Sequence, residues 1–153
     1  MRFFAVEGKV SGIFNFTCEQ VGCAKNRRLT GMDLSTLKSW LDAYGRAWEA
    51  RSPEMAEVLF TEDASYQEPP YDKPMRGRSA IVEYWSHVPR TQEDIHFNYE
   101  IIALTIDVAI IHWTASFTRI ASRAKVKLDG IFLLNFESNH CRSLREWWVR
   151  HQA

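Results

Sequence analysis

The residues best suited to chemistry in this chain are Tyr66 and Glu68, two positions apart in a strand-like stretch. Side chains of a strand alternate between its faces, so this tyrosine and this carboxylate point to the same side. A carboxylate in a dry site has a raised pKa and can act as a general base near neutral pH. The tyrosine hydroxyl can donate a hydrogen bond to a ligand carbonyl. The pair indicates proton transfer, unless Glu68 forms an ion pair with Arg76 or Arg78 and the tyrosine only packs.

A long amphipathic helix is predicted ahead of this pair, over residues 33–51. Apolar residues recur there at spacings of three and four, Asp33 or Ser35 can cap the first turn, and Pro53 ends the run. Pro53 also suits the first turn of a second, shorter helix. A third helix is predicted over residues 78–87, with Pro89 closing it. The stripe of the long helix consists of Leu34, Leu37, Leu41, Tyr44, Ala47 and Trp48, and Ile81, Tyr84 and Trp85 share one side of the third helix.

β-Branched and aromatic residues dominate the second half of the chain and predict four strands, over residues 95–106, 108–120, 125–137 and 141–150. A shorter strand is predicted over residues 64–67, after an acidic turn at residues 61–63. Helices followed by a meander of strands are typical of an α+β fold. We expect a cone-shaped, curved, mixed or antiparallel sheet wrapped around the long helix, and such a sheet leaves a conical cavity.

Alternation along residues 108–120 separates an apolar face from a mostly polar one. We expect the apolar face to line the concave side, which places His112 outside as an exposed or interface histidine. A slip of one residue in register would reverse this assignment. The apolar face consists of Ile111, Trp113, Ala115 and Phe117.

Each face of the last predicted strand carries a tryptophan and a charge. Glu146 and Trp148 share one face, where Glu146 is either a cavity carboxylate or the ion-pair partner of an arginine such as Arg119 or Arg142. Trp147 lies on the other face. An outer face that bears a tryptophan is too apolar to leave in water, which predicts a homodimer burying at least about 1,000 Å² in total.

Composition limits the class of protein. At 153 residues with 46% hydrophobic content, the chain forms one domain that can bury a core without a metal or disulfide. Its 19 basic and 19 acidic residues balance, so nothing indicates a nucleic-acid partner. Cys18, Cys23 and Cys141 form no metal-ligand or disulfide pattern. The sequence has no phosphate loop, metal triad or serine-histidine-aspartate signature, so we expect neither a cofactor nor a metal.

The first 31 residues differ from the rest, because they lack sustained periodicity of either kind. We interpret residues 1–31 as a peripheral extension and residues 32–153 as the domain, with a hairpin within residues 10–16 as an alternative for the extension. No apolar run approaches the roughly 18 residues that a membrane span needs. Charged residues also interrupt the N-terminus, so we expect a cytoplasmic protein without a membrane partner.

The order of elements and one sequence phrase resemble a known superfamily. Residues 60–69 follow the pattern F-x-x-D-A-x-x-x-x-P, and Gly77 leads the third predicted helix. With the long first helix and the closing sheet, these features resemble the nuclear transport factor 2-like superfamily, also called SnoaL-like, which includes ketosteroid isomerases and polyketide cyclases. The resemblance covers residues 33–150. It implies a fold whose cavity takes a small hydrophobic molecule, and one such fold hosts many activities.

The ketosteroid isomerases imply roles for two residues. Their register puts Glu68 where the general-base aspartate stands and Tyr44 where the oxyanion-hole tyrosine stands. The protonated aspartate that completes the oxyanion hole falls at or near Phe132, and the nearest carboxylate, Asp129, lies on the opposite strand face. An oxyanion hole with one donor is weaker, since losing a donor typically costs about 10²–10³ in rate. The register is carried by Phe60, Asp63, Ala64, Pro69, Pro74 and Gly77.

Two functions from different classes follow. The first is a cofactor-independent enzyme that moves protons on a small apolar carbonyl or epoxide compound, in the manner of the isomerases, cyclases, dehydratases and epoxide hydrolases of this superfamily. The second is a non-catalytic module for ligand binding or interaction. A cavity-facing Glu68 with a raised pKa favours the enzyme, and an arginine-paired Glu68 favours the module. In the enzyme, Glu68 takes the proton, Tyr44 or Tyr66 stabilises the oxyanion, and Trp85 and Trp113 line the cavity.

Overall fold

Four helices precede the main part of the sheet. The computed structural model of the chain describes residues 32–68 and 71–152. Helix α1 spans Leu34–Glu49, α2 spans Pro53–Glu57, α3 spans Arg78–Trp85 and α4 spans Val88–Thr91. Asp33 caps α1, because its carboxylate accepts a hydrogen bond from the Thr36 backbone amide at 2.9 Å. The three predicted helices are confirmed, and the short α4 is additional.

Pro89 does not close the third helix, so that part of the prediction is wrong. Helix α3 ends at Trp85, and Pro89 lies in the first turn of α4. A proline costs nothing there, because the backbone amide that it lacks has no partner in the first turn of a helix. Pro89 therefore marks the beginning of a helix instead of the end of one.

The described residues form one mixed sheet of six strands. The strands are β1 Phe60–Gln67, β2 Met75–Arg76, β3 Gln92–Leu104, β4 Ala109–Arg119, β5 Lys125–Glu137 and β6 His140–Gln152. Their order is β2-β1-β6-β5-β4-β3, with β1 and β6 parallel and every other pair antiparallel. The sheet curls without closing, and the predicted α+β cone is confirmed.

The acidic turn predicted at residues 61–63 is also wrong, because these residues belong to β1. Phe60 pairs with Cys141, and the next register pair joins Ser65 to Ser143, so the strand bulges between them. The extra residues of β1 are absorbed by this bulge. Polar residues of this kind are common in turns, and the pairing with β6 that makes them part of a strand is not visible in the local sequence.

The core lies between α1 and the concave face of the sheet. The stripe of α1 is buried from Leu37 to Ala47, while Leu34, at the first turn, is half exposed. The apolar face predicted for residues 108–120 is buried as expected. Within the described residues no helix combines the length and hydrophobicity that crossing a membrane requires. The predicted extension, residues 1–31, lies outside the described residues.

Candidate active site

A cavity of about 170 Å³ lies between the helices and the concave face of the sheet. All five residues singled out from the sequence border it: Tyr44 from α1, Tyr66 and Glu68 from the end of β1, Trp85 from α3, and Trp113 from β4. The structure therefore brings together side chains that are up to 69 positions apart in the sequence. The other lining residues are Trp48, Tyr84, Val88, Gln92, Phe117, Arg119, Leu128, Glu146, Trp148 and Arg150.

Glu68 binds a tyrosine and no arginine. The Tyr84 hydroxyl donates to Glu68 Oε1 at 2.5 Å, and no basic group of residues 32–68 and 71–152 lies within ion-pair distance of the Glu68 carboxylate. Arg78, one of the two proposed partners, donates its Nε–H to the Phe60 carbonyl instead, at 3.1 Å. Burial raises the pKa of Glu68, and the hydrogen bond from Tyr84 opposes that rise.

A second buried carboxylate, Glu146, ends a chain of hydrogen bonds. The Tyr66 hydroxyl donates to Glu146 Oε1 at 3.0 Å. The Tyr44 and Tyr66 hydroxyl oxygens are also 3.0 Å apart. Since Tyr66 gives its own proton to Glu146, Tyr44 must donate to Tyr66. Both tyrosine hydroxyl protons are therefore used in the hydrogen-bond series Tyr44–Tyr66–Glu146.

Strand pairing explains why the two carboxylates are close. Tyr66 pairs with Leu144 and Gln67 pairs with Arg145 in the parallel ladder of β1 and β6. Glu68 directly follows the last residue of β1, and Glu146 directly follows Arg145, so the two residues come next after this pair. Neighbouring strands lie about 4.7–4.9 Å apart, so the two carboxylates interact electrostatically.

The surroundings of Glu146 favour its protonated form. Its side chain is 4% exposed, and burial, with the nearby Glu68 charge, raises the pKa of Glu146 to about 8. The hydrogen bond from Tyr66 opposes the rise but does not cancel it. Of the two alternatives, cavity carboxylate and ion-pair partner, the first is confirmed: Arg142 lies near Asp63 and Glu137 instead.

Glu146 was missing from the five site residues predicted above. The alternation of β6 placed it on one face with Trp148, and that face is the concave one. The sequence signal that could have identified Glu146 is an acidic residue between two apolar residues, Leu144 and Trp148, on one strand face. Deciding between the two faces required the burial of the folded protein.

Aromatic rings form the walls of the cavity. Phe132, at the position where the ketosteroid isomerase register expects an acid, stacks on Trp113 with ring centroids 4.9 Å apart. Trp113 in turn lies over Gly130, where an added Cβ would stand 2.8 Å from its indole ring. Gly130 therefore provides the space that the Trp113 side chain occupies.

Three buried N–H donors of the lining residues have no hydrogen-bond partner within the described ranges. They are Trp85 Nε1, Trp113 Nε1 and Arg119 Nε. Buried polar groups are paired in the great majority of cases. Three unpaired donors in the lining of one cavity are therefore unusual.

His112 and Asp129 lie outside the site. The two side chains meet at 3.3 Å on the convex face of the sheet, where His112 is half buried, as predicted from strand alternation. Within the described parts of the chain, no group of three or more histidine, cysteine, aspartate or glutamate side chains is arranged to hold a metal ion.

The comparisons with known proteins agree on the fold. The SnoaL-like domain family matches residues 41–142, and no curated protein matches the chain. Among solved structures, the epoxide hydrolase/cyclase-like enzyme SalBIII, involved in pyran ring formation in polyether salinomycin, is 20% identical, with a TM-score of 0.67 over 76% of this chain and 93% of that one. Identity at this level establishes the fold alone.

Two more solved structures resemble the chain over most of their length. A ketosteroid isomerase-like protein from Erwinia carotovora atroseptica is 16% identical, with a TM-score of 0.60 over 76% of this chain and 95% of that one. A hexachlorocyclohexane dehydrochlorinase is 6% identical, with a TM-score of 0.65 over 78% of this chain and 87% of that one. Proteins with this fold are thus described by several different activities.

Proposed function

The chain belongs to the SnoaL-like domain family, and from this membership and the two cavity carboxylates we propose that it is a cofactor-independent enzyme. It moves protons on a small, largely apolar carbonyl or epoxide compound. One observation carries the proposal: Glu68 and Glu146 border one aromatic cavity, and tyrosines rather than arginines bind both. An arginine partner would lower the pKa of a carboxyl group and keep it ionised. A neutral tyrosine partner leaves the carboxyl group able to exchange a proton.

Glu68 is the general base. It is the less buried of the two carboxylates, and the Tyr84 hydrogen bond favours its ionised form. The remaining carboxylate oxygen, Oε2, has no hydrogen-bond donor within the described residues. Glu68 therefore takes a proton from a carbon atom of the substrate, next to the carbonyl or the leaving group.

Glu146 is the acid of the pair. Its pKa of about 8 keeps it protonated at pH 7, and its Oε1 already accepts the Tyr66 proton, so the carboxyl proton is the one that can reach a substrate oxygen. Tyr66 and Tyr44 then stabilise the Glu146 carboxylate that remains. The role proposed for Tyr44 and Tyr66, stabilising charge that develops on oxygen, is thus exerted through Glu146. Two carboxyl groups with different pKa values are a common basis for assigning acid and base.

Trp85 and Trp113 bind the apolar body of the substrate. Both side chains are almost fully buried, and their rings form part of the cavity wall. A cavity of about 170 Å³ is close in size to the engineered 150 Å³ cavity that takes up benzene. The substrate is therefore about the size of one ring with short substituents. Returning the proton to another atom gives isomerisation, and loss of a leaving group that Glu146 protonates gives elimination.

A homodimer is part of the proposal. Trp147 and Val149 lie on the convex face of β6 and are 38% and 70% exposed. Arg145 covers part of this surface, since its guanidinium carbon lies 5.0 Å from the centre of the Trp147 ring. The exposed apolar surface on β6 supports a contact between two copies through this face.

The proposal is tested by a turnover screen and a base-deleted variant. Single-ring ketones, hydroxyketones and epoxides are incubated with the protein, and products are detected by mass spectrometry. Glu68→Gln should lower kcat by about 10²–10⁴-fold with little change in KM, because it removes the general base and keeps the shape. Glu62→Gln, an exposed position on the same strand, is the matched control. Equal turnover by Glu68→Gln and the wild type would leave the non-catalytic binding module as the function.

A further inference from the structure

The unpartnered donors around the cavity carry information about the ligand. Trp85 Nε1, Trp113 Nε1 and Arg119 Nε are buried, lack hydrogen-bond partners within the described residues, and belong to α3 and β4, two elements that border one cavity. Leaving a buried donor without a partner destabilises a fold, because the group has lost its water. Three of them around one cavity therefore call for a ligand with hydrogen-bond acceptors.

Arg119 narrows the kind of acceptor. Its guanidinium is a planar cation with several N–H donors, and no carboxylate of residues 32–68 and 71–152 lies within ion-pair distance of it. Glu68 and Glu146, the acidic residues that share the cavity with it, are bound by tyrosines. A partly buried arginine without an acidic partner is best satisfied by an anion, and its planar edge fits a carboxylate.

A second cation lies at the same end of the cavity. Arg150 follows Trp148 and Glu146 at every second position of β6, and all three border the cavity. Four residues of strand separate Glu146 from Arg150, or about 13 Å. Glu146 and Arg150 therefore lie at different levels of the cavity, with Trp148 between them on the same strand.

The charge of the lining also favours an anion. Its ionisable acidic and basic residues are Glu68, Glu146, Arg119 and Arg150. Burial raises the pKa of both carboxyl groups, which reduces the negative charge that stands against the two guanidinium groups. The negative charge lies at the reacting end, where it does not meet a carboxylate held by Arg119.

We infer that the substrate is a small monocarboxylate whose anionic group is bound by Arg119 at the mouth of the cavity. Its ring or short apolar chain lies between the indoles, and its reacting carbon and oxygen lie at Glu68 and Glu146. The inference rests on the proposed function for the reacting end only. Binding of the carboxylate depends on Arg119 whether or not the protein is catalytic.

The probes are four arylalkanoates and their primary amides: benzoate, phenylacetate, 3-phenylpropanoate and 4-phenylbutanoate. Each amide has nearly the shape of its acid but no charge. Affinity is measured by calorimetry at pH 7, and the indole N–H resonances of Trp85 and Trp113 are followed by NMR. We expect at least one carboxylate to bind at least tenfold more tightly than its amide and to shift these resonances.

Three variants locate the charge. Arg119→Gln should lower the affinity for the carboxylate at least tenfold and leave the affinity for the amide within about twofold. Arg90→Gln makes the same charge change at an exposed position of α4 that does not line the cavity. It should change neither the affinity for the carboxylate nor the affinity for the amide. Glu68→Gln should keep carboxylate binding, so loss of turnover in that variant is distinguished from loss of the anion site.

Two results overturn the inference. The first is that no carboxylate of the series binds the wild type at millimolar concentration, or that each amide binds as well as its acid. The second is a lowered thermal stability of the Arg119→Met variant without ligand. We expect its midpoint of thermal unfolding to be unchanged or raised, because the substitution removes an unpartnered buried donor. A lowered midpoint in that variant would show that Arg119 stabilises the fold through a partner within the protein. Carboxylate binding without turnover in any screen supports the inference and refutes only the proposed function.

Discussion

Glu146 lies directly opposite Phe132 in the antiparallel pairing of β5 and β6. The register of the ketosteroid isomerases placed a protonated acid at Phe132, and this chain has an aromatic ring there. A carboxyl group whose pKa is raised by burial to about 8 nevertheless borders the cavity, one strand away. It reaches Tyr66, two positions before the proposed base. Two carboxyl groups, each bound by a tyrosine, therefore border the same cavity.

The stability of the protein should fall between pH 4.5 and about 8 because of Glu146. Its pKa is about 8 in the fold against an ordinary value of 4.5, so within this interval the folded protein binds more protons than the unfolded chain. The free energy of unfolding then decreases as pH rises, at up to about 1.4 kcal/mol per pH unit. Glu146→Gln should reduce this slope, as measured by urea unfolding at several pH values, and the raised pKa of Glu68 accounts for a slope that remains.

The control is Glu62→Gln, which changes an exposed carboxylate of β1 and should keep the slope of the wild type. Glu146→Gln retains an oxygen that can accept the Tyr66 proton, so the fold should survive. An identical slope in Glu146→Gln and the wild type would contradict a raised pKa at this position.

Tyr84→Phe and Tyr66→Phe should move opposite limbs of the pH–rate profile. Loss of the Tyr84 hydroxyl removes the hydrogen bond that lowers the pKa of Glu68, so the acidic limb should move to higher pH. Loss of the Tyr66 hydroxyl removes the hydrogen bond that lowers the pKa of Glu146, so the alkaline limb should move to higher pH. The measurement is kcat/KM against pH with a substrate from the screen.

Tyr71→Phe is the matched control for both variants, because Tyr71 is 97% exposed and does not line the cavity. Its profile should coincide with that of the wild type. Movement of the same limb in both cavity variants would disprove the separate assignment of base and acid.

Gly130→Ala should destabilise the protein by about 1–3 kcal/mol through overpacking. The new Cβ would stand 2.6 Å from the Trp147 carbonyl oxygen and 2.8 Å from the Trp113 indole, and neither the strand backbone nor the stacked ring can move freely. Urea unfolding measures the loss, and near-ultraviolet circular dichroism reports the displacement of Trp113.

Gly45→Ala provides the comparison. Its Cβ would stand 2.8 Å from one edge of the Phe97 ring, but alanine favours the interior of α1 by about 1 kcal/mol over glycine. The net change should be smaller than at Gly130. Equal losses at the two positions would indicate that the backbone contact at Gly130 does not determine the cost.

The protein should sediment as a dimer at micromolar concentration, with at least about 1,000 Å² buried in total. The convex face of β6 exposes Trp147 and Val149, so Val149→Glu should weaken the dimer by placing two charges at the contact. Val58→Glu, at an equally exposed apolar position before β1, should leave it intact. A wild-type monomer under these conditions would contradict the proposed assembly.

Features governed by local periodicity were predictable from the sequence. The stripe of α1 carries Tyr44 to the core because helical residues three and four apart share a face. Alternation of period two correctly separated the concave face of β4 from His112. The sequence pattern at residues 60–69 identified the fold. The short β2 and α4 were not predicted, because elements of two and four residues are too short to show a periodic pattern.

Features that depend on contacts between distant segments were decided only by the tertiary structure. The parallel pairing of β1 with β6 brings Tyr66 to Glu146 across 80 positions of the chain, and nothing local to either strand specifies that partner. Because of the same pairing, residues 61–63 form a bulge of β1 and not the predicted turn. Whether Glu146 binds an arginine or a tyrosine, and therefore whether it is charged at neutral pH, follows from which strand lies beside β6. A pKa is a property of the surroundings of a group, and those surroundings exist only in the folded chain.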